Sequence, residues 1–170
     1  MPELGYTLSS EEHTPNDLVR NAIAAAQPDA AELAGRLGDA LITTSPDDDL
    51  KAEFERAGGK DKPCYGQLHV CYADSEEQGR RLAHELWPNA AMGGPLGQEL
   101  AITEHYEAVA ELVTEEQIGE QVVCGPGPER HLEAIREYDH AGFTHVFVHQ
   151  IGPDQDTFLR FYAEQVLPKL

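Results

Sequence analysis

Residues 124–162 read CGPGPERHLEAIREYDHAGFTHVFVHQIGPDQDTFLRFY, and this stretch decides the fold class. Leu132, Ile135 and Tyr138 recur at three-residue steps behind Pro126 and Pro128, which is the apolar stripe of an amphipathic helix. Ala141-Gly142 stops that helix, because glycine readily takes the left-handed conformation past a C-terminus. Phe143–Ile151 follows as a short apolar strand, mostly Val, Phe and His. Gly152-Pro153-Asp154 ends the strand, with Pro153 expected as the first residue of a last helix. Helix, strand, helix at this spacing is the repeating unit of a parallel α/β fold. Parallel sheets bind ligands at the C-terminal ends of their strands, which makes His149 and Gln150 candidate site residues.

Working outward, the same rhythm recurs at Glu32–Thr44. A helix over Asp29–Leu37 is stopped by Gly38, and Ala40–Thr44 follows as a short buried strand. Ser45-Pro46-Asp47 is expected to cap a helix ending at Ala57-Gly58-Gly59, with Asp47, Asp48 and Asp49 suited to its positive N-terminus. Pro63–Ala73 contains the longest strand candidate, and Asp74-Ser75 caps a helix over Glu76–Leu86. Trp87-Pro88-Asn89 opens a loop rich in Gly and Pro, through Gly97. Helical signals resume over Glu99–Val113, and Thr114-Glu115-Glu116-Gln117 is a capping box. Val122–Cys124 reads as a strand too short to be a full sheet member. Near the N-terminus, Leu4–Leu8 is a strand candidate and Thr14-Pro15 a helix start. The parallel sheet expected from the residues has strands at Leu4–Leu8, Ala40–Thr44, Tyr65–Tyr72 and Thr144–Gln150.

The chain has 170 residues, enough for one core, with 31 Asp and Glu against 12 Lys and Arg and a formal charge of −19. Such a field repels nucleic acid and anionic lipid, so neither is an expected partner. The acids are spread along the chain, which reads as adaptation to a saline cytoplasm. No membrane span and no signal peptide are read, and a cytoplasmic location is expected. Three cysteines, an odd number, read as reduced structural thiols.

No G-x-G-x-x-G, P-loop, G-x-S-x-G or H-E-x-x-H motif is present. His145 and His149 share one strand face with Phe147 between them; His145 is expected to be structural, while His149, at the strand's C-terminal end, reads equally as a pocket residue or as a hydrogen-bonded core histidine. Gln67, His69 and Cys71 share one face of their strand but lack a carboxylate or second His, so packing rather than metal binding is expected. Thr43, Thr44 and Ser45 end a strand before a helix, where hydroxyls and free N–H groups suit a phosphate; helix capping by Ser45 is the plainer alternative. Glu11, Glu12 and His13 read as a solvated loop. No metal site is expected, and the catalytic residues stay unknown.

In order and in joint presence, LGYTLSSEEHTPNDLV, AAELAGRLGDALITTSPD, KPCYGQLHVCYA, WPNAA and residues 111–162 with VLP resemble the luciferase-like flavin and deazaflavin oxidoreductases. They are most similar to the branch of glucose-6-phosphate dehydrogenase-like enzymes using coenzyme F-420. The resemblance implies a TIM barrel, a fold that takes about 250 residues. This shorter chain then reads as a single truncated barrel domain, with an internal block missing near Ala22–Gln27. That block would carry the family's Asp-His-Phe-x-x-Trp-type motif and its catalytic Glu. Asp139-His140 does not replace the motif, and the glycines near the cofactor phosphate fall at Ala26 and Gln27. A sugar-phosphate lysine falls at Asp47, against a phosphosugar substrate. What carries over as cofactor-binding is Thr44 and Ser45 at the sixth strand's end, and His149 and Gln150 at the eighth's.

The retained strands would form an incomplete TIM barrel, a half-barrel of about four parallel strands with surrounding helices. Its unpaired edges and apolar inner face are unfavourable in water, so a homodimer completing the barrel is the expected partner. Three functions remain open. One is a deazaflavin-dependent oxidoreductase, impaired or inactive as this chain. The others are a non-catalytic scaffold and an FMN-binding luciferase-like protein. The small-molecule substrate is not specified.

Overall fold

The computed structural model describes residues 30–92, 100 and 102–170. The strand expected at Leu4–Leu8, the helix start at Thr14-Pro15, the junction near Ala22–Gln27 and most of the loop through Gly97 lie outside them. The described chain forms two compact units, one from residues 30–67 and 137–147, the other from 68–136 and 148–170. Strands and helices alternate in both, and the strands run parallel.

In the first unit, α1 (Ala30–Leu37) ends where Gly38 N–H closes onto the Ala34 carbonyl, as its stop signal predicts. The strand β1 (Leu41–Thr43) follows, then α2 (Asp48–Phe54). Asp47, not Ser45, is the N-cap: its side chain accepts from Leu50 N–H at 2.9 Å. Asp48 and Asp49 fill the first turn, where the exposed N–H groups favour negative charge. The helix widens into a π-turn over Glu55–Gly59, turning at Gly58 with φ +113°. The long strand β2 (Cys64–Cys71) begins here, and β1 pairs with it in parallel, Leu41 opposite Cys64 and Thr43 opposite Gly66. On the other edge of β2, Thr144 N–H donates to the Cys64 carbonyl at 2.9 Å. Adjacent residues of a strand point their carbonyls to opposite sides, so β2 is the central strand of this unit.

The first helix and the strand of the opening stretch form as expected. The helix α6 (Pro128–His140) buries Leu132 and Tyr138 and leaves Ile135 half-buried. Gly142 beyond it has φ +77°, a conformation that costs a Cβ-bearing residue strain. Tyr138 lies flat against Gly66, where no Cβ would fit, and its hydroxyl donates to the Gln67 carbonyl at 3.2 Å. Burial pushes that phenol up to about 12. The strand β4 (His145–Gln150) then pairs with β2.

In the second unit, Ser75 caps α3 (Glu76–Leu86) by accepting from Gln78 N–H at 3.1 Å. A 3₁₀ turn (Pro88–Ala91), α4 (Thr103–Ala110) and α5 (Glu115–Gln121) follow. The capping box at α5 is formed as the sequence predicts: Thr114 Oγ1 accepts from Gln117 N–H at 3.3 Å, and Gln117 Oε1 from Thr114 N–H at 2.8 Å. The strand β3 (Val123–Cys124) is only two residues long. It is nevertheless a member of the sheet, paired in parallel with Val70 and Cys71. Cys71, Ala83, Val113, Ile118, Val122 and Cys124 form the core of this unit. The chain closes with α7 (Gln155–Phe161) and a π-turn over Tyr162–Val166. Asp154 caps α7 by accepting from Thr157 N–H at 3.1 Å, so Pro153 lies outside the helix rather than opening it.

All three cysteines are buried and free. Burial raises each thiol, and the neighbouring Cys71 adds to the burial that holds Cys124 up at about 12. They are inert core residues, since the reactive form is the thiolate. Among the described residues no helix is long and apolar enough to cross a membrane.

Candidate functional site

Alternation along β2 buries Cys64, Gly66, Leu68 and Val70 on one face and leaves Tyr65, Gln67 and His69 half-buried on the other. On β4 the same alternation exposes His145 and Phe147 and half-buries His149. Polar and aromatic groups are therefore gathered on the less buried face of each strand.

The C-terminal ends of β2 and β4 bring His69 and His149 together in the second unit. Their Nδ1 atoms are 2.9 Å apart, a hydrogen bond in which one ring donates and the other accepts. The rings meet edge to face, with centroids 5.1 Å apart. Trp87, just past α3, presses edge-on against His149 at 5.3 Å and remains 38% exposed. Burial first, and then the neighbouring His149, hold His69 below the ordinary imidazole value. No hydrogen bond among the described residues reaches Nε2 of either ring.

Gln150 serves this strand end differently. Its Oε1 accepts from Tyr72 N–H at 2.9 Å and its Nε2 donates to the Tyr72 carbonyl at 3.5 Å, extending the pairing of β4 with β2 through a side chain. Gln155 Nε2 donates to the Gly152 carbonyl at 2.8 Å, which fixes the turn after Gln150.

Thr44 and Ser45 belong to the first unit and are exposed. Ser45 N–H donates to Thr43 Oγ1 at 3.3 Å, and Thr43 Oγ1–H donates to the Ser45 carbonyl at 3.4 Å. The turn is thus held by Thr43, and the Thr44 and Ser45 side chains make no hydrogen bond to another described residue. His145, in the same unit, bonds Thr144 Oγ1 at 3.0 Å and packs on Tyr65 at 4.8 Å, in line with the structural role expected of it.

Sequence reasoning set His69 aside as packing, because its own strand offers no second histidine; the second one comes from β4. It also passed over His131, which is fully buried, with Nε2–H donating to the Gly125 carbonyl at 3.0 Å and Nδ1 accepting from Tyr162 O–H at 2.9 Å. The available signal was the pairing of a histidine in the first turn of α6 with a buried tyrosine in the last helix. Among the described residues no three metal-ligating side chains lie close enough to hold an ion.

The family model described as luciferase-like monooxygenase matches residues 9–145. The F420-dependent glucose-6-phosphate dehydrogenase of Nakamurella multipartita is 30% identical over 170 residues, covering 92% of this chain and 49% of that protein. The one from Beutenbergia cavernae is 29% identical over 160 residues, with 87% and 47% covered. The chain thus spans about half the length of the curated relatives it matches. Among solved structures, an F420-dependent secondary alcohol dehydrogenase in complex with an F420-acetone adduct superposes with a TM-score of 0.63 at 17% identity, over 80% of this chain and 44% of that one. A coenzyme F420-dependent tetrahydromethanopterin reductase from Methanopyrus kandleri does so with a TM-score of 0.55 at 15% identity, over 82% and 47%. Both are TIM barrels, and about half of each is matched, so the fold is the expected incomplete TIM barrel. The chain belongs to the luciferase-like monooxygenase family.

Proposed function

We propose that this chain is a deazaflavin-binding oxidoreductase subunit that uses coenzyme F420. The observation that carries the reading is the group at the ends of β2 and β4. An exposed Trp87 edge and two half-buried imidazoles with open Nε2 atoms suit a planar, polar-edged heterocycle. The relatives named F420-dependent supply the identity of that heterocycle. A deazaflavin accepts or donates a hydride at its ring, and the protein's share is to orient the substrate, exclude water and move a proton. In this reading His149 touches the cofactor or substrate, and Gln150 holds the strand end rigid beneath it. Thr44 and Ser45, taken by themselves in the first unit, offer exposed hydroxyls and an anion-compatible turn at the end of β1, a cofactor-binding candidate to be tested separately.

Titration followed by absorbance tests the reading. Deazaflavin is expected to bind and FMN not to, and Trp87→Ala is expected to weaken deazaflavin binding about tenfold, or ~1.4 kcal/mol. Binding of FMN alone, or of neither compound, would overturn it.

The reading includes a second copy of the chain. In the first unit, Ile42 and Phe147 are 55% and 57% exposed on a sheet face that, among the described residues, also carries Tyr65 and His145 and no carboxylate. A patch free of acids on a chain of formal charge −19 is one where two like-charged copies can meet without placing acid against acid.

A further inference from the structure

The hydrogen bond between the two Nδ1 atoms restricts the tautomers of both rings. One Nδ1 must carry the proton and the other must accept it. In the neutral pair, the ring that donates through Nδ1 has a bare Nε2, and the ring that accepts has an Nε2–H. The two rings therefore present one acceptor and one donor outward, and neither Nε2 is spent on a hydrogen bond among the described residues. A proton arriving at the bare Nε2 turns that ring into an imidazolium whose charge stays against its neighbour's Nδ1. A second proton would break the bond and set two like charges side by side.

We propose that His69 and His149 act as one proton-accepting couple, which binds an uncharged hydroxyl compound at its bare Nε2 and takes the hydroxyl proton during oxidation. This rests on the deazaflavin reading above. As the substrate C–H bond breaks, its electron pair leaves as hydride to an oxidised deazaflavin. The O–H bond breaks, its pair becomes the second bond of the new carbonyl, and the proton moves to the bare Nε2. In the reverse direction the same imidazolium returns it.

Several observations support an uncharged substrate and a single shared proton. Among the described residues the aromatic ring that packs on the pair is Trp87, against His149. Burial, and then the charge of His149, act against the imidazolium of His69 among the described residues. No Lys or Arg contacts either ring among the described residues, so nothing there would balance a phosphate. The couple is an acceptor above the lowered value of His69 and loses that capacity as pH falls through it.

Nitrogen NMR of imidazole-labelled protein tests this without turnover. The expected result is two rings in opposite tautomers near neutral pH, taking up one proton between them, with the bare Nε2 signal moving when oxidised deazaflavin and a simple secondary alcohol are added. His149→Asn keeps a donor and acceptor in the Nδ1 position but cannot hold charge, and should move His69 up toward its ordinary titration. His69→Asn is the reciprocal control, and far-ultraviolet circular dichroism checks that each variant is folded. Two Nε2–H rings that titrate independently, or a folded His149→Asn protein in which His69 titrates unchanged, would overturn the couple. Coupled rings in a protein that shows no absorbance change with deazaflavin would instead overturn the deazaflavin reading, and with it the couple's role in oxidation.

Discussion

At His131 a single side chain links the start of α6 to the π-turn that follows α7. Both its nitrogens are used, one by Gly125 and one by Tyr162. Burial, the larger effect, holds its pKa below the ordinary 6.5, against a smaller upward pull from the Gly125 carbonyl. The unfolded chain therefore binds a proton here at a pH where the folded chain does not. Stability from this group is complete above about 6.5 and is lost as pH falls below it. Urea unfolding midpoints measured from pH ~8 to ~5 should fall with pH, and His131→Asn should flatten the fall. Tyr162→Phe removes the one partner that a buried Nδ1 has among the described residues and should cost ~1–3 kcal/mol at neutral pH. An unchanged midpoint in Tyr162→Phe would mean that water replaces the hydroxyl.

Individual elements were legible where their signals are local. Thr114 and Ser75 cap the helices expected of them, because the side chain, the N–H it accepts from and the turn between them lie within four residues. Two other starts moved by one or two positions. Asp47 replaced Ser45 and Asp154 replaced Pro153, since several residues in each stretch can cap and the choice depends on where the preceding strand delivers the chain. The strand at Val123–Cys124 was underrated for the same reason: two residues carry no periodicity, and their membership comes from the edge of β2. The capping box permits a direct test. Thr114→Ala should lower stability by about 1 kcal/mol through loss of the cap on α5, whereas Gln121→Ala at the other end should change it little. Equal losses would remove the box as the cause. The site shows the same division. His149 at a strand's C-terminal end could be found from fold class, but His69 could not, because its partner lies eighty positions away in sequence.

For the whole molecule, charge and the acid-free sheet face act together. Two copies of a chain with formal charge −19 repel at low ionic strength, and molar salt shortens the screening length to ~3 Å. Sedimentation velocity should therefore show a dimer that grows with salt, and Phe147→Asp should abolish it while leaving the monomer folded. A monomer at every salt and protein concentration would remove the second copy from the proposal.

The sequence by itself determined the class of fold, the helix stops, most caps, the inert thiols and the family, because each rests on neighbours along the chain or on the order of segments. Only the tertiary structure decided that β2 is central in both units, that β3 joins the sheet and that Gln150 extends the pairing. It alone seated His131 between Gly125 and Tyr162. It alone also set His69 against His149. A histidine's chemistry depends on which groups its two nitrogens meet, and strand pairing chooses those groups from distant parts of the sequence.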